Sequence, residues 1–87
     1  MLTVTKSTRK EQFGGLWLED EKYTYAYNPC RSSITRWETE TGQPAGVITH
    51  HRLRWWNLSD DQVIEIINDW DNVKKRRDES RKFNFND

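Results

Sequence analysis

Apolar and polar residues alternate with a period of two through much of the first half of the chain, which is typical of β-strands. The clearest alternation is in residues 23–27, where three tyrosines would share one face of a strand and the smaller Thr24 and Ala26 the other. Asn28 and Pro29 would end this strand, because proline cannot extend a hydrogen-bonded ladder and asparagine favours turns.

Two later segments alternate as well. In residues 33–41, one face would carry Thr35, Trp37 and Thr39, and we expect the other face to be solvated, with Ile34, Arg36, Glu38 and Glu40. In residues 47–56, a mostly apolar core face would carry Val47, Thr49, His51, Leu53 and Trp55. The opposite face would be basic and aromatic, with Ile48, His50, Arg52, Arg54 and Trp56. Together with short strand-like segments at 2–5 and 16–18, these patterns predict an antiparallel meander of about four strands.

The second half of the chain begins with a helix start signal. Ser59 is placed to be the N-cap, and Gln62 three residues later can reach back to complete a capping box. Leu58 and Val63 have the spacing of a hydrophobic staple. An apolar stripe then recurs every three or four residues, at Val63, Ile66, Ile67, Trp70 and Val73. We therefore predict a helix over about residues 59–80.

These elements predict one small α+β domain over residues 1–87, with a sheet packed against one C-terminal α-helix. It would be strand-rich over 1–57 and would end in a short tail, 81–87, whose Phe83 and Phe85 could either dock on the domain or stay loose. A chain of 87 residues buries only about 60 to 65% of its unfolded surface, so we expect no deep substrate pocket. Its five Trp side chains could serve the core or an interface, because tryptophan is common in both.

The charges balance, with fourteen basic and fourteen acidic residues, which argues against a whole-domain attraction to nucleic acid or to an anionic membrane. Their distribution is uneven, because residues 59–73 carry five acids and no base, whereas residues 74–82 carry six bases and two acids. Acids at the start of a helix and cations at its end both complement the helix dipole, so this polarity has a purely structural explanation.

The single cysteine, Cys30, excludes an intramolecular disulfide and a multi-cysteine zinc site. Residues 1–10 lack the apolar segment of a signal peptide, and no apolar run is long enough to span a membrane. We expect a cytoplasmic protein with no membrane partner.

The sequence carries no clear catalytic or cofactor-binding motif. His50 and His51 are adjacent, and adjacent residues of a strand point to opposite faces, so they could not chelate one metal ion there. Gly14-Gly15 lacks the sequence context of a phosphate-binding loop. We therefore expect a protein that is not an enzyme and that holds neither a metal nor a cofactor.

Recognition is the remaining class of function. The strongest candidate surface for a partner comprises Arg36, Arg52, Arg54 and Trp56, which the alternation would place on exposed faces of two neighbouring strands. Arginine can bind carboxylate or phosphate while stacking on a ring, and tryptophan supplies a large contact area. The alternative is that Trp56 belongs to the core and the arginines cover the sheet with their aliphatic stems.

The leading hypothesis is a non-enzymatic protein-interaction domain, of the kind typical of short phage or mobile-element proteins that bind and inhibit or redirect a larger host protein. The alternative is a nucleic-acid-binding protein, for which the candidate residues are Arg52, Arg54, Trp56, Lys74, Lys75, Arg76, Arg77, Arg81 and Lys82. The oligomeric state is open, and a homodimer is possible because an exposed strand edge could pair two copies.

Overall fold

Five β-strands follow one another in the part of the chain that the structure describes, and helical residues come after them. The computed structural model describes residues 2–8, 14–50 and 55–76. Its elements are the strands β1 (Thr3–Ser7), β2 (Leu16–Glu19), β3 (Tyr23–Asn28), β4 (Ser33–Glu38) and β5 (Pro44–Thr49), a 3₁₀ turn (Pro29–Arg31) and the helix α1 (Asp60–Asn68). Residues 70–76 are helical again after a turn at Asp69. The predicted α+β class is confirmed, with five strands in place of about four and two helical segments in place of one.

Each strand pairs antiparallel with its neighbour in the chain, so the sheet has the order β1-β2-β3-β4-β5 of the predicted meander. The registers of β2 to β5 align Trp17, Ala26, Thr35 and Val47 in one row across the sheet. The register shifts once between β1 and β2 and once between β4 and β5. Because strand side chains alternate between faces, the row places these four residues on the same face.

The opposite face of the sheet is packed against the helical segments and carries the core. Its buried side chains are Leu16, Leu18, Tyr25, Tyr27, Ile34 and Ile48. Trp55, Val63, Ile67 and Trp70 complete the same buried cluster from the second half of the chain. The tyrosine face of β3 is therefore the core face, and the small residues Thr24 and Ala26 lie on the other side.

The hydroxyl of Tyr27 joins the sheet to the segment that leads into α1. It donates a hydrogen bond to the backbone carbonyl of Trp55 and accepts one, at 3.0 Å, from the backbone N–H of Leu58. Both partners are polar backbone groups at the edge of the core, where unpaired groups are costly. One buried side chain thus fixes the path of the chain from the turn into the helix.

The helix begins as predicted. The hydroxyl of Ser59 accepts a hydrogen bond from the N–H of Gln62 at 3.2 Å, and the side-chain oxygen of Gln62 accepts one from the N–H of Ser59 at 2.8 Å. The predicted capping box is confirmed. The predicted single helix is interrupted at Asp69, whose ψ of 27° departs from helical geometry. Neither helical segment of residues 55–76 has the length and apolar character that crossing a membrane requires.

Two of the predicted strand faces are wrong. Ile34 is fully buried and Arg36 lies half-buried against Trp70 of the second helical segment, so the face of β4 that the alternation predicts to be solvated is the core face. On β5, Ile48 is 2% exposed and Val47 is 48% exposed, which reverses the predicted assignment. An arginine can lie on a core face when its charge stacks on rings and its N–H groups have acceptors, and Arg36 has both.

The last predicted strand is also too long. β5 ends at Thr49, and Trp55, Trp56 and Asn57 form a turn. Residues 51–54, which include the predicted site residues Arg52 and Arg54, lie outside the residues that the structure describes. The predicted faces of Val47 and Ile48 are wrong because they depend on extending the strand pattern through Trp55 and Trp56.

Candidate functional site

The face of the sheet opposite the helix carries a pair of stacked tryptophans. Trp17 on β2 and Trp37 on β4 have ring centroids 5.7 Å apart and planes only 5° from parallel. Trp17 is 40% exposed, and Trp37 is half-buried. We call this side of the sheet the open face, because the helical segments pack against the other side.

Small side chains on β3 allow the two rings to meet. β3 lies between β2 and β4, and it presents Thr24 and Ala26 to the open face. Trp17 pairs with Ala26, and Trp37 pairs with Thr24, so the rings approach each other across the middle strand. A large residue on this face of β3 would occupy the space that the stack uses, and the tyrosines of β3 all face the core instead.

A shallow groove of about 730 Å³ lies beside the stacked pair. Trp37 borders one end, and the 3₁₀ turn with Pro29 and Arg31 borders the other. Trp17 lies at the side of the groove, in the same row as Ala26 and Thr35. The lining between the two ends consists mostly of small or hydroxyl side chains, among which are Ala26, Ser33 and Thr35. Val47 on β5, which is also exposed, borders the groove on one side. The groove is open to solvent and combines apolar rings with hydrogen-bonding groups.

The 3₁₀ turn is held by its own hydrogen bonds, which place Arg31 at the end of the groove. The side-chain oxygen of Asn28 accepts a hydrogen bond from the N–H of Arg31 at 3.3 Å, and the carbonyl of Pro29 accepts one from the N–H of Ser32 at 3.2 Å. Ser32 is fully buried with a positive φ of 49°, which turns the chain sharply into β4. The position of Arg31 is therefore set by the backbone.

The charge of the open face is small. Among the described residues that line the groove, Arg31 alone carries a charge. Lys6 on β1 pairs with Trp17, and Glu19 on β2 lies in the same row as Trp37, so one positive and one negative charge lie beside the tryptophan pair. The arrangement can bind a mostly neutral ligand with aromatic or aliphatic groups and with one acidic group near Arg31.

Of the predicted partner-binding residues, Arg36 is engaged within the domain. Its guanidinium lies 4.2 Å from the ring centre of Tyr23 and 4.7 Å from that of Trp70, and two of its N–H groups donate to the carbonyl of Ala45 at 2.8 and 3.1 Å. Burial raises the pKa of the nearby Tyr25 above its ordinary value of 10.0, and Asp20 raises it further, whereas Arg36 acts in the opposite direction. Arg36 therefore links β4, β5 and the second helical segment.

The other predicted site residues are more scattered. Trp56 is 53% exposed in the turn before α1. Lys74, Lys75 and Arg76 lie on residues 70–76, where Arg76 approaches the carboxylate of Asp69 at 3.4 Å. The remaining predicted site residues lie outside the described ranges, and so do Phe83 and Phe85 of the predicted tail. These site residues are Arg52, Arg54, Arg77, Arg81 and Lys82.

The sequence contains a signal for the tryptophan pair, although the predicted strand faces do not use this signal. β3 carries tyrosines on one face and only Thr24 and Ala26 on the other, and a tryptophan stands in each neighbouring strand. Because the small face of a central strand leaves room above it, large residues from both sides can meet there. The alternation in residues 33–41 predicts that Trp37 and Thr35 share a face of their strand, but it does not predict which face of β3 lies beside them. No face is predicted for Trp17.

Comparison of the chain with family models, with curated proteins and with solved structures finds no match. Within residues 2–8, 14–50 and 55–76 no group of three His, Cys, Asp or Glu side chains could hold a metal ion. The fold and the site therefore define the class of protein: a small α+β domain whose antiparallel meander is covered by helices on one face and carries a tryptophan-lined groove on the other.

Proposed function

We propose that this protein is a non-enzymatic protein-interaction domain of the cytoplasm and that it binds its partner through the open face. The observation that carries the proposal is the stacked pair Trp17 and Trp37 beside a groove, on the side of the sheet away from the helix. Exposed tryptophan is costly in water and is enriched among the residues that dominate binding energy at interfaces. The exposed thiol of Cys30 fits a reducing compartment.

The domain does not need these two rings to complete its core. Leu16, Leu18 and Ile34 fill the helix-covered face of the same strands, and they are fully buried. The open face therefore carries apolar rings that lie outside the buried core cluster. Contiguous apolar patches of this kind on small proteins commonly mark binding sites.

A protein partner is favoured over nucleic acid by the charges around the site. The described part of the open face carries the bases Lys6 and Arg31 and the acid Glu19, so its net charge is small. Of the predicted nucleic-acid-binding run, the described residues Lys74, Lys75 and Arg76 lie on the helical part, which is packed against the other face of the sheet. Nucleic-acid binding would need a stronger positive surface around the tryptophans.

Binding without catalysis would let so small a domain act by occupying a surface of a larger protein. We propose that it inhibits or redirects a larger host protein in this way, as short phage or mobile-element proteins do. The neutral net charge is compatible with such a partner, since it favours neither polyanions nor basic surfaces.

The test is to compare capture of partners from the cytoplasm of the native host by the wild-type protein and by Trp17→Ala, Trp56→Ala and Val4→Ala. We expect Trp17→Ala to lose a captured protein, with an affinity at least about 30-fold weaker once that protein is purified, because interface tryptophans contribute about 2 kcal/mol or more. Val4 is similarly exposed, and its pairing with Leu18 places it away from the open face, so it is the matched control.

Each variant must first give the wild-type circular dichroism spectrum. If Trp56→Ala loses the partner and Trp17→Ala keeps it, the site is the turn before α1 and our placement on the open face is wrong. If the protein instead binds oligonucleotides with a steep salt dependence, the nucleic-acid-binding hypothesis replaces the protein-interaction hypothesis.

A further inference from the structure

The groove on the open face is shaped for a short extended chain segment. We propose that its ligand is a proline-containing segment of the partner, bound in the polyproline II conformation with an acidic side chain at Arg31. This inference rests on the proposed function and specifies the kind of partner that the open face would bind.

The size of the groove favours a short chain segment as its occupant. The groove volume of about 730 Å³ lies within the range of about 300 to 1,000 Å³ that is typical of sites for small ligands. An extended segment can enter such a groove and contact it on several of its own sides, whereas a flat folded surface, such as the sheet face of a second copy of this chain, would rest on the rim.

The length of the groove matches a few residues of polyproline II helix. Trp37 and Ser33 are four residues apart on β4, which corresponds to about 13 Å along the strand. A polyproline II segment rises about 3.1 Å per residue, so about four residues would reach from Trp37, past Trp17, to the 3₁₀ turn. This conformation is preformed in proline-rich chains and loses little entropy on binding.

The chemistry of the lining suits such a segment. Proline rings are flat apolar groups, and the rings of Trp17 and Trp37 offer them flat apolar partners. A polyproline II backbone makes no internal hydrogen bonds, so its carbonyls need donors. The hydroxyls of Ser33 and Thr35 lie along the groove and can donate to them.

The charge at one end gives the segment a direction. Arg31 is the charged residue of the groove lining within the described part of the chain, and it lies at the opposite end from Trp37. Its guanidinium can bind a carboxylate through two parallel hydrogen bonds. A segment with proline at the tryptophan end and aspartate or glutamate about four residues away would satisfy both ends.

The test uses three synthetic peptides: a proline-rich one with glutamate at one end, the same peptide with lysine in place of glutamate, and the same peptide with alanine in place of proline. Binding is measured by backbone amide chemical shifts and by tryptophan fluorescence. We expect the first peptide to bind most tightly, by about tenfold over each of the others, and to shift the amides of β3 and β4 around the groove.

Two variants locate the site. Trp37→Ala should weaken the glutamate peptide by about 30-fold, and Arg31→Glu should make the lysine peptide the better ligand. Arg31 is exposed, so its replacement should leave the fold intact, and Trp37→Phe provides a second variant if the alanine protein does not fold. Val4→Ala should bind like the wild type.

Equal binding of the proline and alanine peptides, no binding of any peptide, or shifts confined to the helical segments would each overturn this inference. If a thymidine oligonucleotide shifts the groove amides and the peptides do not, the ligand is a stacked base. The proposed function has its own test, and it is wrong if capture of a protein partner does not depend on Trp17.

Discussion

At the scale of single residues, the Tyr27 hydroxyl shows how one buried polar group can determine the geometry of a chain reversal. It bonds the carbonyl of Trp55 and the N–H of Leu58, two backbone groups that lie between the last strand and the helix. A phenylalanine would fill the same volume and would remove this partner from both groups. The hydroxyl therefore contributes to stability by keeping polar backbone groups paired at the edge of the core.

We expect Tyr27→Phe to lower the free energy of unfolding by about 1 to 3 kcal/mol, because the backbone groups that the hydroxyl pairs would lose this partner. The measurement is urea denaturation followed by circular dichroism. Tyr23→Phe is the control, since it removes a hydroxyl from a half-buried ring on the same face of the same strand. Equal losses in the two variants would show that the Tyr27 hydrogen bonds add nothing of their own.

Arg36 shows at the same scale why the core face of β4 could not be identified from the sequence. An arginine in an alternating segment usually indicates the solvated face, because burying its charge is expensive. Here two rings and the carbonyl of Ala45 compensate for that cost, and they come from three different elements. A pattern along one strand contains no information about partners that only the tertiary fold brings together.

At the scale of elements, the start of α1 was predictable because all of its signals are local. The N-cap Ser59 and Gln62 are three residues apart, and they form the capping box without help from the rest of the fold. The interruption at Asp69 was not predictable in the same way, since the apolar stripe continues through it to Trp70 and Val73. The stripe indicates which residues face the core and not whether the backbone stays helical between them.

We expect Ser59→Ala to destabilise the protein by about 0.5 to 2 kcal/mol, because the N–H of Gln62 loses its acceptor. Thermal or urea unfolding measures the change. Ser59→Asn should retain most of the stability, since asparagine is an equally good N-cap. A loss of the same size in both variants would indicate that the position is sensitive for a reason other than capping.

At the scale of the whole molecule, the sheet separates its tryptophans into two groups with different surroundings. Trp70 is buried against the core face, where its ring also contacts Tyr25 and Arg36. Trp17 and Trp37 lie on the open face and stack mainly on each other. Composition alone could not make this division, because tryptophan is common both in cores and at interfaces.

We expect Trp70→Ala to cost about 3 to 5 kcal/mol of stability and Trp17→Ala only about 1 kcal/mol, because the first leaves a cavity and the second removes one ring of an exposed stack. Denaturation of both proteins under the same conditions gives the comparison. A loss of stability in Trp17→Ala as large as that in Trp70→Ala would mean that the open face belongs to the core. The reason for proposing that this face binds a partner would then be removed.

The meander has a consequence for the kinetics of folding. Each strand from β2 to β5 pairs with the strand just before it, and the connections at 20–22, 29–32 and 39–43 are short. Closing a short loop costs little entropy, and chains dominated by contacts that are near in sequence fold faster than chains of equal stability with distant pairings. The sheet can therefore assemble one hairpin at a time. We expect docking of α1, which brings Val63 and Ile67 into the core cluster with strands far earlier in the sequence, to follow the assembly of the sheet.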